Sequence, residues 1–184
     1  MSFWYTLRLY WYRADKAGLA TVVVIALMIV TFGFMLQAVF AQQDERRNRV
    51  RDYHEKHIAC LARNIYFEAR GEPVAGQFAV AEVTMNRKAS RLFPRTVCDV
   101  VYQKSWDSAR KRYVGAFSWT EFKTLPEPEG EEWDRARKVA EAVYYQKYAP
   151  QLHGALHYHA LYVKPDWAKG KQPVAKIGRH VFYK

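Results

Sequence analysis

The distribution of apolar and polar residues divides the chain into two parts. Residues 17–41 (AGLATVVVIALMIVTFGFMLQAVFA) include no charged residue, and their only strongly polar side chain is Gln37. A helix over this run is long enough to cross a hydrocarbon core about 30 Å thick. Buried core helices and the apolar cores of cleaved signal peptides are usually shorter. We therefore predict one transmembrane helix, a signal-anchor, at residues 17–41.

Polar or aromatic segments flank this run. Residues 1–16 combine cations with tyrosines and tryptophans that are typical of a membrane interface. Residues 42–56 are charged throughout and predict a solvated helix or a linker. Arginines cluster between residues 46 and 51, so the positive-inside comparison is ambiguous and by itself favours an outside N-terminus.

The second part of the chain begins with a helical pattern. A helix is predicted over residues 57–70, where Leu61, Ile65 and Glu68 recur at i, i+4 and i+7 and share one face. A carboxylate on an otherwise apolar face is either a capped structural acid or a functional one. A second helix is predicted over residues 73–88, with a proline in its first turn.

The remaining pattern indicates further helices and then strands. Residues 96–99 (TVCD) resemble a capping box that starts a short helix, residues 117–120 form a loop or short turn, and residues 131–148 form an amphipathic helix. Segments 156–163 and 177–183 are rich in β-type residues and predict strands. The sequence thus predicts the α+β class: a mainly helical domain with a small antiparallel sheet near the C-terminus, preceded by one transmembrane helix.

Composition narrows the function classes. The chain has 29 Lys and Arg residues against 18 Asp and Glu, a net charge of +11. This balance favours an anionic partner: nucleic acid, a membrane surface or an acidic cell-wall polymer. Hydrophobic residues make up 50% of the chain, which excludes a disordered protein. The cations are scattered and form no recognisable binding motif, so we expect no nucleic acid partner.

The segment 66–72 (YFEARGE) is the first candidate for catalysis. Glu68 lies in the last turn of its predicted helix, beside aromatic residues. A glycosidase needs a carboxylic acid that stays protonated near neutral pH, and apolar burial achieves this by raising the pKa of the group. The structural alternative is a helix-end acid paired with Arg70.

Histidines and cysteines offer two other chemistries. His157 and His159 face the same side of a predicted strand, as in pairs that bind zinc with a third ligand. The chain has no H-E-x-x-H signature, and histidines beside tyrosines are more typical of a hydrogen-bonding groove, so we predict no metal and no cofactor. Cys60 and Cys98 lack the local context of a nucleophile, and a disulfide is the better interpretation if the domain is extracytoplasmic.

Five blocks of sequence follow one another between Cys60 and about Phe182: CLARNIYFEARGEPVAGQFAVAEVTMNR (60–87), FPRTVCDVVYQ (93–103), GAFSW (115–119), GALHYHALYVKPDW (154–167) and IGRHVFY (177–183). In this order and spacing they resemble the SleB/CwlJ-type cell wall hydrolases of bacteria and their phages. The chain departs from that family's pattern at residues 115–116 and 119–122, which bear on subsite specificity.

The resemblance implies a lysozyme-like domain that cuts peptidoglycan glycan strands with a single catalytic glutamate, here Glu68. It also implies groove residues that contact the substrate: Tyr66, Glu72, Ser118, Tyr158 and His159. Hydrolysing glycosidases usually need two carboxylates, whereas a lytic transglycosylase needs one that serves first as acid and then as base. No partner for Glu68 is evident, so we expect a lytic transglycosylase that cleaves the MurNAc–GlcNAc backbone in phage-type lysis or in wall remodelling.

Two alternatives stay open at this point. One is a zinc-dependent peptidoglycan amidase that uses the histidines, and the other is a wall-binding module without activity. The intact Glu68 argues against the second.

The substrate implies a topology. Residues 1–16 then lie in the cytoplasm, residues 42–56 form a charged linker, and the catalytic domain, residues 57–184, faces the periplasm. A Cys60–Cys98 disulfide can form on that side of the inner membrane. The expected partners are peptidoglycan strands and the inner membrane, and the sequence specifies no oligomeric state.

Overall fold

A computed structural model describes most of the chain. The described residues are 4, 6, 8, 10, 12, 16–108 and 110–184. They belong to two compact units, Met1–Arg51 and Asp52–Lys184. The predicted N-terminal tail over residues 1–16 lies largely outside the described residues.

The first helix, α1, spans Lys16–Ala69. It includes the apolar run and also residues 42–56, which are helical rather than an irregular linker. Its most apolar stretch has a mean hydropathy of 2.7 and is not buried. By length and composition this helix is able to cross a membrane, and a signal sequence near an N-terminus shares those two properties.

The C-terminal part of α1 builds the core of the second unit. Leu61 and Ile65 are fully buried and Glu68 is partly buried, as the predicted helical face requires. Their hydrophobic cluster also contains residues of the three helices that follow. These helices are α2 (Val74–Ala89), α3 (Val97–Val101) and α4 (Gly130–Tyr144). The predicted end of α4 at residue 148 is too late, because Gln146 adopts a left-handed φ of 56°.

Two features fix α3 in place. Thr96 Oγ1 accepts a hydrogen bond from the backbone N–H of Asp99 at 3.2 Å, which confirms the predicted cap. A disulfide joins Cys98 to Cys60 of α1, with the two Cα atoms 5.3 Å apart, which confirms the predicted pairing. The short helix is therefore tied covalently to the helix that carries Glu68.

Two small antiparallel sheets complete the second unit. A hairpin is formed by β1 (Lys104–Asp107) and β2 (Arg112–Gly115), and a three-stranded sheet has the order β3 (His157–Ala160), β5 (His180–Tyr183), β4 (Ala175–Ile177). The hairpin leads into a 3-10 helix at Ser118–Glu121, where a short turn was predicted. The sequence did not predict the hairpin. The mainly helical α+β class is confirmed, and Phe182 anchors the sheet in a cluster with Ala79 and Val83 of α2.

Candidate active site

Glu68 lies in the last turn of α1, partly buried, and points toward the three-stranded sheet. Its Oε2 accepts a hydrogen bond from the hydroxyl of Tyr158 at 3.1 Å. Burial raises the pKa of Glu68, while the hydrogen bond from Tyr158 and the charge of Arg87 act in the opposite direction without cancelling the rise. A carboxyl group with a raised pKa keeps its proton closer to neutral pH, as a general acid requires.

Arg70 does not serve as the partner of Glu68. Its guanidinium lies over the ring of Tyr66, 4.9 Å from the centroid. Tyr66 is itself buried and packs edge-on against Trp133 of α4. Residues two apart on a helix point in nearly opposite directions, so Tyr66 belongs to a different face of α1 from Glu68. Substrate contact by Tyr66 remains a prediction, and the structure places it in the core.

Tyr158 is the second residue of β3, and its side chain extends from this strand to Glu68. Burial raises the pKa of Tyr158 well above its ordinary value, and the negative charge of Glu68 acts in the same direction. The hydroxyl is therefore a stable proton donor in its hydrogen bond. Its position depends on the pairing of β3 with β5, where Tyr158 lies opposite Phe182. A residue 90 positions along the chain thus completes the surroundings of the acid.

His159 lies on the opposite face of β3 from Tyr158, since successive strand residues alternate. Its Nδ1 is 2.9 Å from the backbone oxygen of Ala160, and its Nε2 is 3.1 Å from the hydroxyl of Tyr183. A carbonyl oxygen only accepts, so Nδ1 carries a proton, and in a neutral ring Nε2 accepts from the hydroxyl of Tyr183. The ring also stacks on Tyr183 and contacts Trp167. The predicted role of His159 in substrate binding would place substrate on this outer aromatic face.

Glu72 lies four residues after Glu68, and its carboxylate is paired with an arginine rather than with a hydroxyl group. Its side chain is only 3% exposed, and its oxygens accept hydrogen bonds from the backbone N–H of Arg179 at 2.8 Å and from Arg179 Nε at 2.7 Å. Burial acts to raise the pKa of Glu72, but these hydrogen bonds outweigh it, and the pKa lies below its ordinary value. Glu72 joins the α1–α2 turn to the β4–β5 turn. Its predicted contact with substrate remains a prediction.

Gly178 makes this junction possible. Its φ is +58°, and a Cβ atom at this position would overlap Glu72 Oε2. Both the left-handed backbone conformation and the lack of room for a Cβ atom therefore require glycine at this position. The same residue separates β4 from β5 within the single strand segment that the sequence predicted.

The segment that contains Ser118 is held against α1 by a buried polar network. Trp119 Nε1 donates to Asn64 Oδ1 at 2.9 Å, and Asn64 Nδ2 donates to Thr84 Oγ1 at 3.2 Å. Asn64 lies one turn before Glu68, so the network fixes this segment beside the acid. Ser118 itself is exposed at the start of its 3-10 helix, and its predicted substrate contact stays a prediction.

Arg87 is the site residue that the sequence interpretation missed. It is 8% exposed, and its Nε donates to the backbone oxygen of Leu156 at 2.8 Å. Its guanidinium lies 5.3 Å from the ring centroid of Phe93 and 5.1 Å from that of Phe117. A lone arginine near the end of a predicted helix indicates a solvated position. Only the packing of two phenylalanines from distant segments shows that it is buried.

The arrangement of the histidines bears on the predicted absence of a metal. Among the described residues, no group of three or more histidine, cysteine, aspartate or glutamate side chains is arranged to hold a metal ion. His157 and His159 contact aromatic rings on the outer face of the sheet, and the side chain of His180 lies beside Tyr158 and 3.9 Å from Glu72. The histidines thus have other structural surroundings in the folded domain.

The fold and the site define an α+β domain, mainly helical, with one partly buried carboxyl group that is hydrogen-bonded by a strand tyrosine. The cell wall hydrolase family model matches residues 71–183, and the chain belongs to that family. This confirms the predicted resemblance. The matched region begins three residues after Glu68 and includes Arg87 and Tyr158.

Relatives and solved structures agree with this family. The spore cortex-lytic enzyme of Oceanobacillus iheyensis is 30% identical over 137 residues, which cover 72% of this chain and 43% of the relative. That of Bacillus cereus is 28% identical over 143 residues, 77% of this chain and 49% of the relative. The chain thus spans less than half the length of these relatives.

Two solved structures show the same fold. The catalytic domain of the germination-specific lytic transglycosylase SleB from Bacillus anthracis is 29% identical, with a TM-score of 0.51 over 70% of this chain and 93% of that one. The catalytic domain of the Bacillus cereus SleB protein has the same identity and TM-score and covers 71% and 91%. The matched part of this chain therefore corresponds to nearly all of these catalytic domains.

Proposed function

We propose that this protein is a peptidoglycan lytic transglycosylase that cleaves the MurNAc–GlcNAc backbone with Glu68 as its general acid and base. The observation that carries the proposal is the environment of Glu68, whose pKa is raised by burial while Tyr158 donates a hydrogen bond to it. The similarity to the catalytic domain of a lytic transglycosylase, described above, supports the same reaction.

The reaction needs one carboxyl group in two roles. Glu68 first gives its proton to the glycosidic oxygen that leaves muramic acid, and the bond from that oxygen to C1 breaks. The Glu68 carboxylate then takes the proton of the C6 hydroxyl, whose oxygen bonds to C1 and closes a 1,6-anhydro ring. The proton count balances, and no water enters.

The surroundings of two other carboxylates, Glu72 and Glu121, support this choice over hydrolysis. Glu72 is held by Arg179, as described above. Glu121 accepts hydrogen bonds from Arg112 at 2.6 Å and from the backbone N–H of Gly115 at 3.1 Å, and the bond from Arg112 foremost keeps the pKa of Glu121 low. A hydrolase needs a second carboxylate that is available to activate water or to attack the sugar. These two are engaged in the fold instead.

Mass spectrometry of the products released from purified sacculi tests the reaction. We expect 1,6-anhydromuramic ends, about 18 Da lighter than reducing ends because no water is added. Reducing muramic ends would replace the transglycosylase with a hydrolase that has a second carboxylate. Free stem peptides beside intact glycan would reject the glycosidase and favour an amidase.

The site can also be extended to substrate contacts. The groove residues that the family resemblance implies are Tyr66, Glu72, Ser118, Tyr158 and His159. Tyr158 is the member of this set that contacts Glu68 directly. We therefore rank Tyr158 first, and the exposed Ser118 and the outer-face His159 next.

We further propose that residues 17–41 anchor the protein in the inner membrane, with the domain over residues 57–184 in the periplasm. The apolar stretch of α1 and the Cys60–Cys98 disulfide support this topology, since disulfides persist in oxidising compartments. Non-reducing peptide mapping of cell-derived protein should recover the linked peptides. Two free thiols in material from intact cells would contradict the periplasmic location.

A further inference from the structure

Arg87 carries a positive charge that the fold buries and that acts electrostatically on the proposed acid, Glu68. Its only hydrogen bond among the described residues is the one from Nε to the Leu156 backbone oxygen. Within that same part of the chain it forms no ion pair at direct contact distance. Arginine is almost never buried without a charged partner, because losing its hydration costs free energy. The surroundings of Arg87 must therefore stabilise its buried charge by other contacts.

Two aromatic rings fix where that charge lies. Phe117 follows β2, and Phe93 lies between α2 and α3, and their ring centroids are 5.1 and 5.3 Å from the guanidinium carbon. A planar guanidinium stacks on aromatic faces, and such contacts are stronger when water is excluded. The hydrogen bond to Leu156 points the group toward β3, two residues before Tyr158. The charge is thus held in one place by three separate segments.

The groups that act on Glu68 come from two elements. Tyr158 donates its hydroxyl to Glu68 from β3. Arg87 belongs to α2 and is hydrogen-bonded to Leu156, two residues before Tyr158, and its positive charge lowers the pKa of Glu68. Burial lowers the pKa of Arg87, and the negative charge of Glu68 acts in the opposite direction. Burial by itself favours the protonated form of Glu68, and a carboxyl that holds its proton too firmly cannot release it to a substrate.

We propose that Arg87 is a positioning residue that acts through Glu68: it holds a fixed positive charge beside the carboxylate that remains when Glu68 gives its proton to the glycosidic oxygen. This negative charge persists until the C6 hydroxyl returns a proton. A preorganised charge in a site with little water stabilises such a transient anion without rearrangement. The inference rests on the proposed role of Glu68.

Three substitutions at Arg87 separate charge from packing. Arg87→Met keeps an unbranched side chain between the two phenylalanines but removes the charge. Arg87→Gln removes the charge and keeps a polar group, and Arg87→Lys keeps a charge without the planar group. Lys88→Gln is the matched control, since it removes one positive charge from the next position of α2, where the ammonium lies over Tyr144. Thermal unfolding identifies the variants that fold.

The readouts are the pH profile of kcat/KM on soluble glycan strands and the titration of the Glu68 carboxyl by carbon NMR. We expect both neutral variants to move the alkaline limb and the Glu68 titration to higher pH, and to lower kcat by roughly 10- to 100-fold. In Arg87→Lys, which keeps a positive charge, the Glu68 titration should lie close to its wild-type pH. Lys88→Gln should match the wild type in both readouts. The pKa of His157, which burial and then Arg87 lower, should rise in the neutral variants as an internal check.

An unchanged Glu68 titration in a folded neutral variant would overturn the inference. A loss of kcat with an unmoved pH profile would also do so, because it would assign Arg87 a purely structural role. The NMR titration needs no turnover, so it reports on Arg87 even if Glu68 is not the catalytic acid. Failure of the proposed function would appear separately, as full activity in a Glu68→Gln variant.

Discussion

Glu68 and Glu72 stand four residues apart in one sequence block, yet the fold gives them opposite chemical characters. Burial raises the pKa of Glu68, whose direct partner is a hydroxyl group. Glu72 is buried as well, but two hydrogen bonds from Arg179 hold its pKa low. The difference teaches that burial alone does not make an acid, since what matters is whether the buried carboxylate has a cationic partner in direct contact.

The largest expected effect is on catalysis at Glu68. Glu68→Gln keeps the shape of the side chain but removes the acidic carboxyl proton that the reaction transfers. Turnover on purified sacculi should therefore fall by on the order of 100-fold or more. Thermal unfolding should show an intact domain. Release of soluble muropeptides by this variant at near wild-type rates would show that Glu68 is not the catalytic acid.

Glu72→Gln should affect stability rather than chemistry. The substitution weakens hydrogen bonds that a buried carboxylate accepts from an arginine, and we expect a loss of about 1.5–3 kcal/mol in the free energy of unfolding. Urea denaturation measures this loss, with the exposed Glu129→Gln as the control. Specific activity per folded molecule should stay within a few-fold of wild type. A large drop in kcat without a loss of stability would move Glu72 into the reaction.

The two carboxyls should also leave opposite marks on the pH dependence of stability. The pKa of Glu72 is depressed by folding, so its contribution is present above the pKa of an unfolded glutamate and is lost as pH falls through the folded value. The pKa of Glu68 is raised, so its protonated form favours folding at low pH, and this contribution is lost as pH rises through the folded value. Urea unfolding of each glutamine variant across pH should show slopes that change in opposite directions. Slopes that change in the same direction would mean that the two environments are alike.

A smaller effect is expected from Tyr158→Phe. The phenyl ring keeps its contact with Phe182 while the hydrogen bond to Glu68 is lost. That bond lowers the pKa of Glu68, so its removal should shift the alkaline limb of the pH–rate profile upward and reduce kcat by about 5- to 10-fold. Tyr162→Phe, at an exposed position, is the control. An unchanged profile would show that the hydroxyl does not tune the acid.

Chelation should have the smallest effect. The proposed proton transfers use side chains alone, and we expect digestion of sacculi to continue at an unchanged rate in excess EDTA. If EDTA abolishes activity and zinc restores it, the enzyme is a metal-dependent amidase, and the difference between Glu68 and Glu72 does not explain its catalysis. Turbidity measurements on sacculi with and without the chelator decide between these outcomes.

The sequence predicts the parts of the site that depend on local periodicity. Glu68 on an apolar helix face, the Thr96 cap and the two C-terminal strand segments follow from spacing along one element. The pairing of Tyr158 with Glu68 does not, because it depends on the register of β3 and on packing across the fold. Tyr158 and His159 are both predicted groove residues, and their alternation along β3 places them on opposite faces of the sheet.

The hairpin and Arg87 show what local patterns miss. Trp106 and Tyr113 pair across β1 and β2 but are 58% and 64% exposed, so the hairpin lacks the buried face that makes strands visible in a sequence. Arg87 is buried by Phe93 and Phe117, which lie outside its own helix. Neither feature has a signal within a single window of residues.

The junction between Glu72 and the β4–β5 turn also bears on the order of folding. Glu72 and Arg179 are 107 positions apart, so a long stretch of chain must be ordered before they can meet. A contact of this kind is expected to form late, and its loss should speed unfolding more than it slows folding. The lifetime of the folded domain, rather than its rate of formation, would then depend on this one pair of residues. Stopped-flow unfolding of Glu72→Gln would show the change in the unfolding arm.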